Sequence, residues 1–236
     1  TSATITIPVT GATNYNDYSI VVTVTAKDKQ MLTIAGVTMN AASYTYGDTV
    51  SYNKSGLSVT GVTTPAFDNA TLEYIYSGTL TDGTHFTAGT AAPTKAGSYT
   101  LTIKVPDSNA NYMGEQVINF TIAKEEVTVS GITANSKPYD GGTSATVDAS
   151  GAIFGGIVSG DTLTITATGT FADADAGENK TVTLTLGSLS GADSANYTLA
   201  TSGNQTTATA NITAKDVSIT GATVNNKDYN GNANAT

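Results

Sequence analysis

Residues 127–141 read VTVSGITANSKPYDG, and this stretch decides the fold because the chain repeats it. Residues 217–231 read VSITGATVNNKDYNG and match it position by position without a gap. A third, weaker copy is LTIAGVTMN at residues 32–40, followed by Tyr44 in register with Tyr139. Each copy is an alternating run, then a glycine, then a polar turn that carries tyrosine. The sequence therefore predicts β-strands arranged in repeated units.

The ends of the units repeat as well. An Asn-Tyr pair precedes an Ala-Lys pair at three places, which are Asn14-Tyr15 with Ala26-Lys27, Asn111-Tyr112 with Ala123-Lys124, and Asn196-Tyr197 with Ala214-Lys215. These landmarks divide the chain into four parts. We expect C-terminal strands of a preceding repeat at 1–27, full domains at 28–124 and 125–214, and the N-terminal strand of a following repeat at 215–236. The chain is thus expected to be part of a longer array of repeats.

Period-two alternation marks the strands inside each unit. The apolar positions are Tyr99, Leu101, Ile103 and Val105; Ile118, Phe120 and Ile122; Leu163, Ile165 and Ala167; Val182, Leu184 and Leu186; and Ala208, Ala210 and Ile212. Strands with one apolar and one polar face suit two packed antiparallel sheets. The predicted fold is all-β, with tandem immunoglobulin-like antiparallel β-sandwich domains. Short junctions at 124–126 and 215–216 favour an elongated, semi-rigid array.

Composition excludes several classes of function. Charged residues make up 12% of the 236, the net charge is -9, and all ten basic residues are lysine. An acidic chain without arginine is unsuited to nucleic acid or to anionic lipid. The absence of cysteine removes disulfides, thiolate chemistry and zinc fingers. No apolar run is long enough to insert in a membrane, and residues 1–20 lack the layout of a signal peptide, so an export signal is expected outside this sequence.

Two families share these motifs. Residues 125–214 resemble a YDG domain through Lys137-Pro138-Tyr139-Asp140-Gly141, Ser159-Gly160-Asp161, Gly169-Thr170-Phe171-Ala172-Asp173, Ala176-Gly177 and Ala195-Asn196-Tyr197-Thr198-Leu199. Residues 28–124 resemble the related MBG ("mostly bacterial Ig-like") domain through Tyr46-Gly47-Asp48, Ala96-Gly97-Ser98-Tyr99-Thr100 and Ala110-Asn111-Tyr112. Residues 215–236 resemble another YDG start, with Asp228 and Asn230 in place of Pro and Asp. The resemblance implies repetition in long bacterial surface or secreted proteins, and no ligand or activity.

Nucleophilic or acid–base catalysis needs a base beside a nucleophile or a carboxylate pair with shifted pKa values. Catalysis is not expected, because the single histidine, His85, follows the Asp82-Gly83 turn and is expected on a surface loop, and the chain has no cysteine. We expect no enzyme activity, no catalytic or metal residues and no cofactor. Asp173, Asp175 and Glu178 space carboxylates as calcium loops do. The stretch lacks the third acidic position of the twelve-residue helix–loop–helix calcium pattern and the rest of that pattern, and it equally suits a turn between strands. The sequence leaves open whether that loop binds calcium.

Lysine–asparagine isopeptide bonds occur in other bacterial Ig-like stalks and need both side chains facing the core. Asn119 and Asn211 lie out of phase with the inward residues of their strands, and the first strand of the second domain turns Val127 and Val129 inward. Such a bond is therefore not expected. Tyrosines recur at two repeat positions, Tyr15, Tyr112 and Tyr197 at one and Tyr44, Tyr139 and Tyr229 at the other. Recurrence predicts packing, with the hydroxyl satisfied as in the corner tyrosines of sandwiches.

These expectations lead to a structural role. We predict stalk or spacer repeats of an adhesin-like protein outside the cell, on a bacterial surface or secreted, that project a distal binding module. The partners would be neighbouring repeats of the same chain. Two alternatives stay open: the domains themselves hold a glycan or protein ligand, or they form an extracellular filament in which a neighbour's strands complete the partial terminal units.

Overall fold

The structure is a computed structural model that describes residues 2–11, 17–25, 27–224, 228–229 and 231. Strands dominate it, and within those residues the helical elements are two 3-10 turns, Asn69–Thr71 and Ser194–Asn196. The all-β prediction is thereby confirmed. Among the described residues, no helix is long and apolar enough to cross a membrane.

The chain forms two compact units. Unit 1 comprises Thr1–Glu126 together with Asp193–Thr198, and unit 2 comprises Val127–Ala192 together with Leu199–Thr236. The division is not sequential, because a short piece from late in the chain belongs to unit 1.

The strands are short and follow one another closely along the chain. Up to residue 123 they are β1 (Ser2–Val9), β2 (Tyr18–Thr25), β3 (Gln30–Met31), β4 (Thr33–Ala35), β5 (Thr38–Met39), β6 (Ser43–Thr45), β7 (Tyr52–Asn53), β8 (Ser58–Thr60), β9 (Glu73–Leu80), β10 (His85–Gly89), β11 (Gly97–Lys104), β12 (Tyr112–Met113) and β13 (Glu115–Ala123). From residue 125 they are β14 (Glu125–Ser130), β15 (Thr133–Ala134), β16 (Lys137–Pro138), β17 (Ser144–Ala145), β18 (Val147–Asp148), β19 (Ile153–Gly155), β20 (Thr164–Phe171), β21 (Gly177–Ser190), β22 (Tyr197–Leu199) and β23 (Thr207–Thr213).

Each unit is built on a five-stranded sheet. The order is β10-β9-β11-β13-β6 in unit 1 and β16-β23-β21-β20-β17 in unit 2. The three long central strands are antiparallel in both sheets. Short ladders accompany them, among them β4 with β8, β5 with β7 and β15 with β18. The shared order makes β9, β11, β13 and β6 the counterparts of β20, β21, β23 and β16.

One pairing is parallel in both sheets. β6, a short strand that precedes β9 in the chain, pairs parallel with β13, and β16 pairs parallel with β23 in the same way. The next backbone N–H extends each ladder, since Tyr46 donates to the Ala123 carbonyl and Tyr139 to the Thr213 carbonyl, both at 2.8 Å. Both units therefore tie an early segment directly to their last strand.

The cores confirm the alternation. In unit 1 Tyr99, Leu101, Ile103 and Phe120 are at most 3% exposed and pack with Leu32 and Ile34 from the other ladders. In unit 2 the buried cluster includes Val129, Ile165, Phe171, Val182 and Ile212. The parity argument against an isopeptide bond also agrees with the structure, because Val127 and Val129 are buried while Asn119 is exposed. The Asn211 side-chain oxygen accepts a hydrogen bond from the Asn179 N–H at 2.7 Å.

Two stretches differ from the full units. β1 and β2 pair antiparallel in register from Ser2↔Thr25 to Val9↔Tyr18. Ile5, Ile20 and Val22 of this pair are more than 40% exposed. Residues 214–224 contain no strand, although an opening strand was predicted from 215 onward. Val217 and Ile219 are 91% and 89% exposed. Alternation sets the faces of a strand, but a strand forms only where a second strand supplies hydrogen-bond partners.

Candidate functional site

The repeated turn of residues 137–142 is a hydrogen-bonded clamp. Lys137 lies in β16, and its Nζ donates to Asp140 Oδ1 at 2.8 Å and to the Gly142 carbonyl at 2.7 Å. Asp140 Oδ1 in turn accepts the Gly142 N–H at 2.9 Å. The lysine ammonium also lies 5.6 Å from the centre of the buried Phe171 ring, within cation–π range. The motif residues therefore close a turn and fasten it to the sheet.

The clamp lowers the pKa of the Asp140 carboxyl, first through the hydrogen bond from Lys137 and then through the Gly142 N–H. A carboxyl whose pKa is lower in the folded than in the unfolded chain stabilises the fold above its unfolded pKa. That contribution is lost as the pH falls through the folded pKa. Asp82, Asp107, Asp148 and Asp173 show the same direction of shift.

We therefore expect the melting temperature of the chain to fall between about pH 5 and pH 2. Asp140→Asn should lower the melting temperature at pH 7 and make this acid-dependent fall smaller, because its contribution no longer titrates. Circular dichroism melts at stepped pH values measure both effects. The matched control is Glu178→Gln on the exposed surface of unit 2, which should follow the unmodified chain. A parallel shift of the Asp140→Asn curve at every pH would contradict the clamp.

The carboxylates of the possible calcium loop do not come together as ligands. The Asp173 carboxylate pairs with the Lys180 ammonium and accepts the Asp175 N–H at 2.9 Å. The hydrogen bond from Lys180 is the largest cause of the lowered pKa of Asp173. Within the described residues, no group of three His, Asp or Glu side chains could hold a metal ion. The geometry assigns Asp173 to a lysine and to a turn.

His85 begins the edge strand β10 and is exposed, opposite Thr79 of β9. In the part of the chain that the structure describes, no hydrogen bond joins its side chain to a nucleophile or to a carboxylate.

The recurring tyrosines divide into two groups. Tyr44, Tyr112 and Tyr197 are buried, which confirms packing at these positions. The Tyr112 hydroxyl donates to the Pro65 carbonyl at 2.6 Å, and the Tyr44 hydroxyl to the Ser51 carbonyl at 2.7 Å. The prediction is wrong for Tyr139 and Tyr229, which are 42% and 97% exposed. The backbone N–H of Tyr139 donates to the Thr213 carbonyl, and this hydrogen bond does not require the ring to be buried. Tyr15 lies outside the described residues.

Residues 193–198 contribute a polar cluster to unit 1. Asn196 is 3% exposed, and its Oδ1 accepts the Ala96 N–H at 3.1 Å. Thr81 Oγ1 donates to the Ala195 carbonyl at 2.6 Å, and Lys95 forms an ion pair with Asp193 at 3.3 Å. Buried amides persist where they are hydrogen-bonded, so Asn196 holds this segment in place.

A cleft of about 650 Å³ lies beside the edge of the unit 1 sheet. Tyr52 and Tyr74 line it and stack with ring centres 5.2 Å apart at 13°, and Lys54 Nζ is 5.7 Å from the Tyr74 centroid. Burial and the neighbouring Tyr52 raise the pKa of Tyr74. The pairing of β10 with β9 shifts register between Phe86 and Gly89, and this irregularity borders the cleft.

Sequence reasoning named Lys137 and Asp140 as motif residues but did not predict the hydrogen bond between them. It also missed the buried Asn196 contact and this cleft. The recurrence of Asn before Tyr at unit ends was a usable signal for Asn196, whereas Tyr52 and Tyr74 occupy no recognised repeat position.

The strands and the hydrogen-bonded turns described above define an all-β protein. A comparison with protein-family models finds a YDG domain at residues 122–209, which covers the Lys137–Asp140 clamp and both long strands β20 and β21. The YDG resemblance of the second domain is thereby confirmed. Comparisons with curated proteins and with solved structures found no match.

Proposed function

We propose that this chain supplies structural spacer repeats of an adhesin-like protein outside the cell, on a bacterial surface or secreted, and that the repeats project a distal binding module. The proposal includes a tandem immunoglobulin-like array, in which residues 28–124 are an MBG-like domain next to the YDG domain. It involves neither catalysis nor a cofactor. The observation that carries it is the parallel pairing of β6 with β13 and of β16 with β23.

That pairing matters for a part under tension. Pulling on the two ends of a unit draws the early strand and the closing strand in opposite directions. Because the two strands are parallel, the force runs along them and shears their hydrogen bonds, which must then break together rather than one after another. Lifetime under load is governed by the unfolding rate, so such a ladder suits a spacer.

The ladder of unit 2 can be weakened at a single N–H. Tyr139→Pro removes the donor that reaches Thr213, at an exposed position, and should shorten the lifetime of unit 2 at a constant clamped force by about 2- to 10-fold. Single-molecule force spectroscopy on the full chain measures this lifetime. Tyr139→Phe keeps the N–H and is the control. Equal lifetimes for both variants would count against the load-bearing role.

Surface chemistry also supports a spacer. The outward positions of β20 and β21 carry threonine opposite threonine, as at Thr168↔Thr185 and Thr170↔Thr183, and all four are exposed. Hydroxyls keep a strand soluble at low charge and give a neighbouring protein little apolar area to bury. A stalk benefits from such a surface because its sides need to avoid nonspecific association.

The Tyr52–Tyr74 cleft favours a second candidate function, the binding of a glycan by unit 1 itself. An aromatic face, the Glu73 carboxylate and the Lys54 ammonium offer an apolar surface with polar groups at its rim, a common pattern in ligand sites.

This second function predicts that maltose, cellobiose or lactose at millimolar concentration shifts the NMR signals of residues 72–75 and 88–90. Tyr74→Ala should weaken that binding by about 10-fold or more, since it removes the aromatic face. Tyr139→Ala, outside the cleft, should leave it unchanged. If none of the three sugars shifts these signals, glycan binding at the cleft is refuted and the spacer proposal is unaffected.

A further inference from the structure

The Asn196 contact in unit 1 covers one particular backbone position. Ala96 lies immediately before Gly97, where the central strand β11 begins, and is 1% exposed beneath residues 193–198. Its N–H is satisfied by the Asn196 side chain. In this copy of the Asn-Tyr pair, the asparagine therefore caps the backbone at the start of a central strand.

Unit 2 contains the same position. Gly97 pairs with Ile122 of the closing strand, and Gly177 pairs with the corresponding Ile212. The residue before each glycine is alanine, Ala96 in one unit and Ala176 in the other. Ala176 is exposed, and among the described residues no group accepts a hydrogen bond from its backbone N–H. The position that is covered in unit 1 is open in unit 2.

We infer that the surface around Ala176 receives the Asn-Tyr segment of another repeat. The asparagine of that segment would accept the Ala176 N–H, as Asn196 accepts that of Ala96. A segment of this kind recurs in the chain at Ala110-Asn111-Tyr112, so the required chemistry belongs to the repeat and not to one copy. The inference rests on the proposed spacer function, because that function identifies the partner as another repeat.

Charge makes the site selective. Lys95, the residue before Ala96, forms an ion pair with Asp193. Asp193 lies three residues before Asn196 in the sequence. At the corresponding place in unit 2 stands Asp175, which is exposed. An aspartate in the incoming segment would meet a like charge there, whereas a lysine would pair with it. The segment that fits unit 2 therefore carries a basic residue three positions before its asparagine.

NMR on the ¹⁵N-labelled full chain tests this at low ionic strength. The probes are peptides of residues 192–199, one with the natural sequence, one with Asp193→Lys and one with both Asp193→Lys and Asn196→Ala. The Asp193→Lys peptide at millimolar concentration should shift the amide signals of Ala176 and Gly177. It should bind about 3-fold more tightly than the natural peptide. Adding Asn196→Ala should weaken it by about 5-fold or more.

Replacing the charge of Asp175 in the chain tests whether that residue selects the segment. Asp175→Lys should reverse the preference, so that the natural peptide binds better. Glu178→Lys, near the start of the adjacent strand β21, is the control that should not reverse it. Absence of shifts at Ala176 and Gly177, shifts confined to Ala96 and Gly97, or a preference that Asp175→Lys leaves unchanged would each overturn the inference. These outcomes do not touch the spacer function, which the force measurement tests separately.

Discussion

Replacing Phe120 by alanine is expected to lower the free energy of unfolding of unit 1 by about 3–5 kcal/mol. Phe120 is 3% exposed and lies at the centre of an aromatic cluster. Its ring stacks on Tyr99 at 5.6 Å and meets the edges of Tyr44 and Tyr76 at 6.0 and 6.1 Å. Truncation removes buried apolar area, opens a cavity and dissolves three ring contacts together, so the loss is large for a single residue.

Val117→Ala is the matched control, because Val117 lies on the same strand and is 52% exposed. Its cost should be about 0.5 kcal/mol or less. The chain has no tryptophan, so tyrosine fluorescence follows its urea unfolding, and hydrogen exchange assigns the affected transition to unit 1. Similar losses for the two variants would show that Phe120 is not central to this core.

The second large effect is expected at the repeat glycine. Gly36, Gly131 and Gly221 occupy the same place in the three copies of the motif, and their φ angles are 84°, 80° and 79°. At Gly36 a Cβ would also overlap the carbonyl oxygen of Gly56. Gly36→Ala therefore combines left-handed backbone strain with a clash between two backbone segments. We expect it to cost about 3 kcal/mol or more.

Gly83→Ala separates the two causes. Gly83 has nearly the same φ, 86°, but no atom lies within 4 Å of the place where its Cβ would stand. Its cost should be about 1 kcal/mol, the strain alone. Urea unfolding of both variants gives the difference. Equal costs would mean that the approach of Gly36 to Gly56 does not constrain the fold.

Local pattern was sufficient for much of this architecture. The pleat of a strand places alternate residues on opposite faces, so the inward sets on β11, β13, β20, β21 and β23 could be recognised from the order of residues alone. The repeated glycine was visible for a similar reason, since a turn that needs positive φ selects glycine wherever it recurs.

The tyrosines show where pattern falls short. The sequence motif aligns Tyr44 with Tyr139, yet the ladders align Tyr44 with Lys137, since Tyr44 pairs with Ile122 and Lys137 pairs with the corresponding Ile212. Tyr44 is 7% exposed and Tyr139 42%. In unit 1 the Tyr44 ring packs against Phe120, and in unit 2 the Lys137 ammonium lies over the Phe171 ring. The pairing of the strands, and not the spacing of the motif, therefore decides which side chain of the early segment packs on the core phenylalanine.

By itself the sequence determined that this protein is all-β, where its principal strands and turns lie, and that residues 122–209 contain a YDG domain. Each of these follows from residues close together in the chain, through alternation, glycine and short motifs. Only the tertiary structure decided that Lys180 takes the Asp173 carboxylate, that Tyr52 stacks on Tyr74, and that Asn196 caps a backbone N–H 100 residues away. The partners in those contacts are chosen by how the strands pair and how the sheets pack, which no local pattern records.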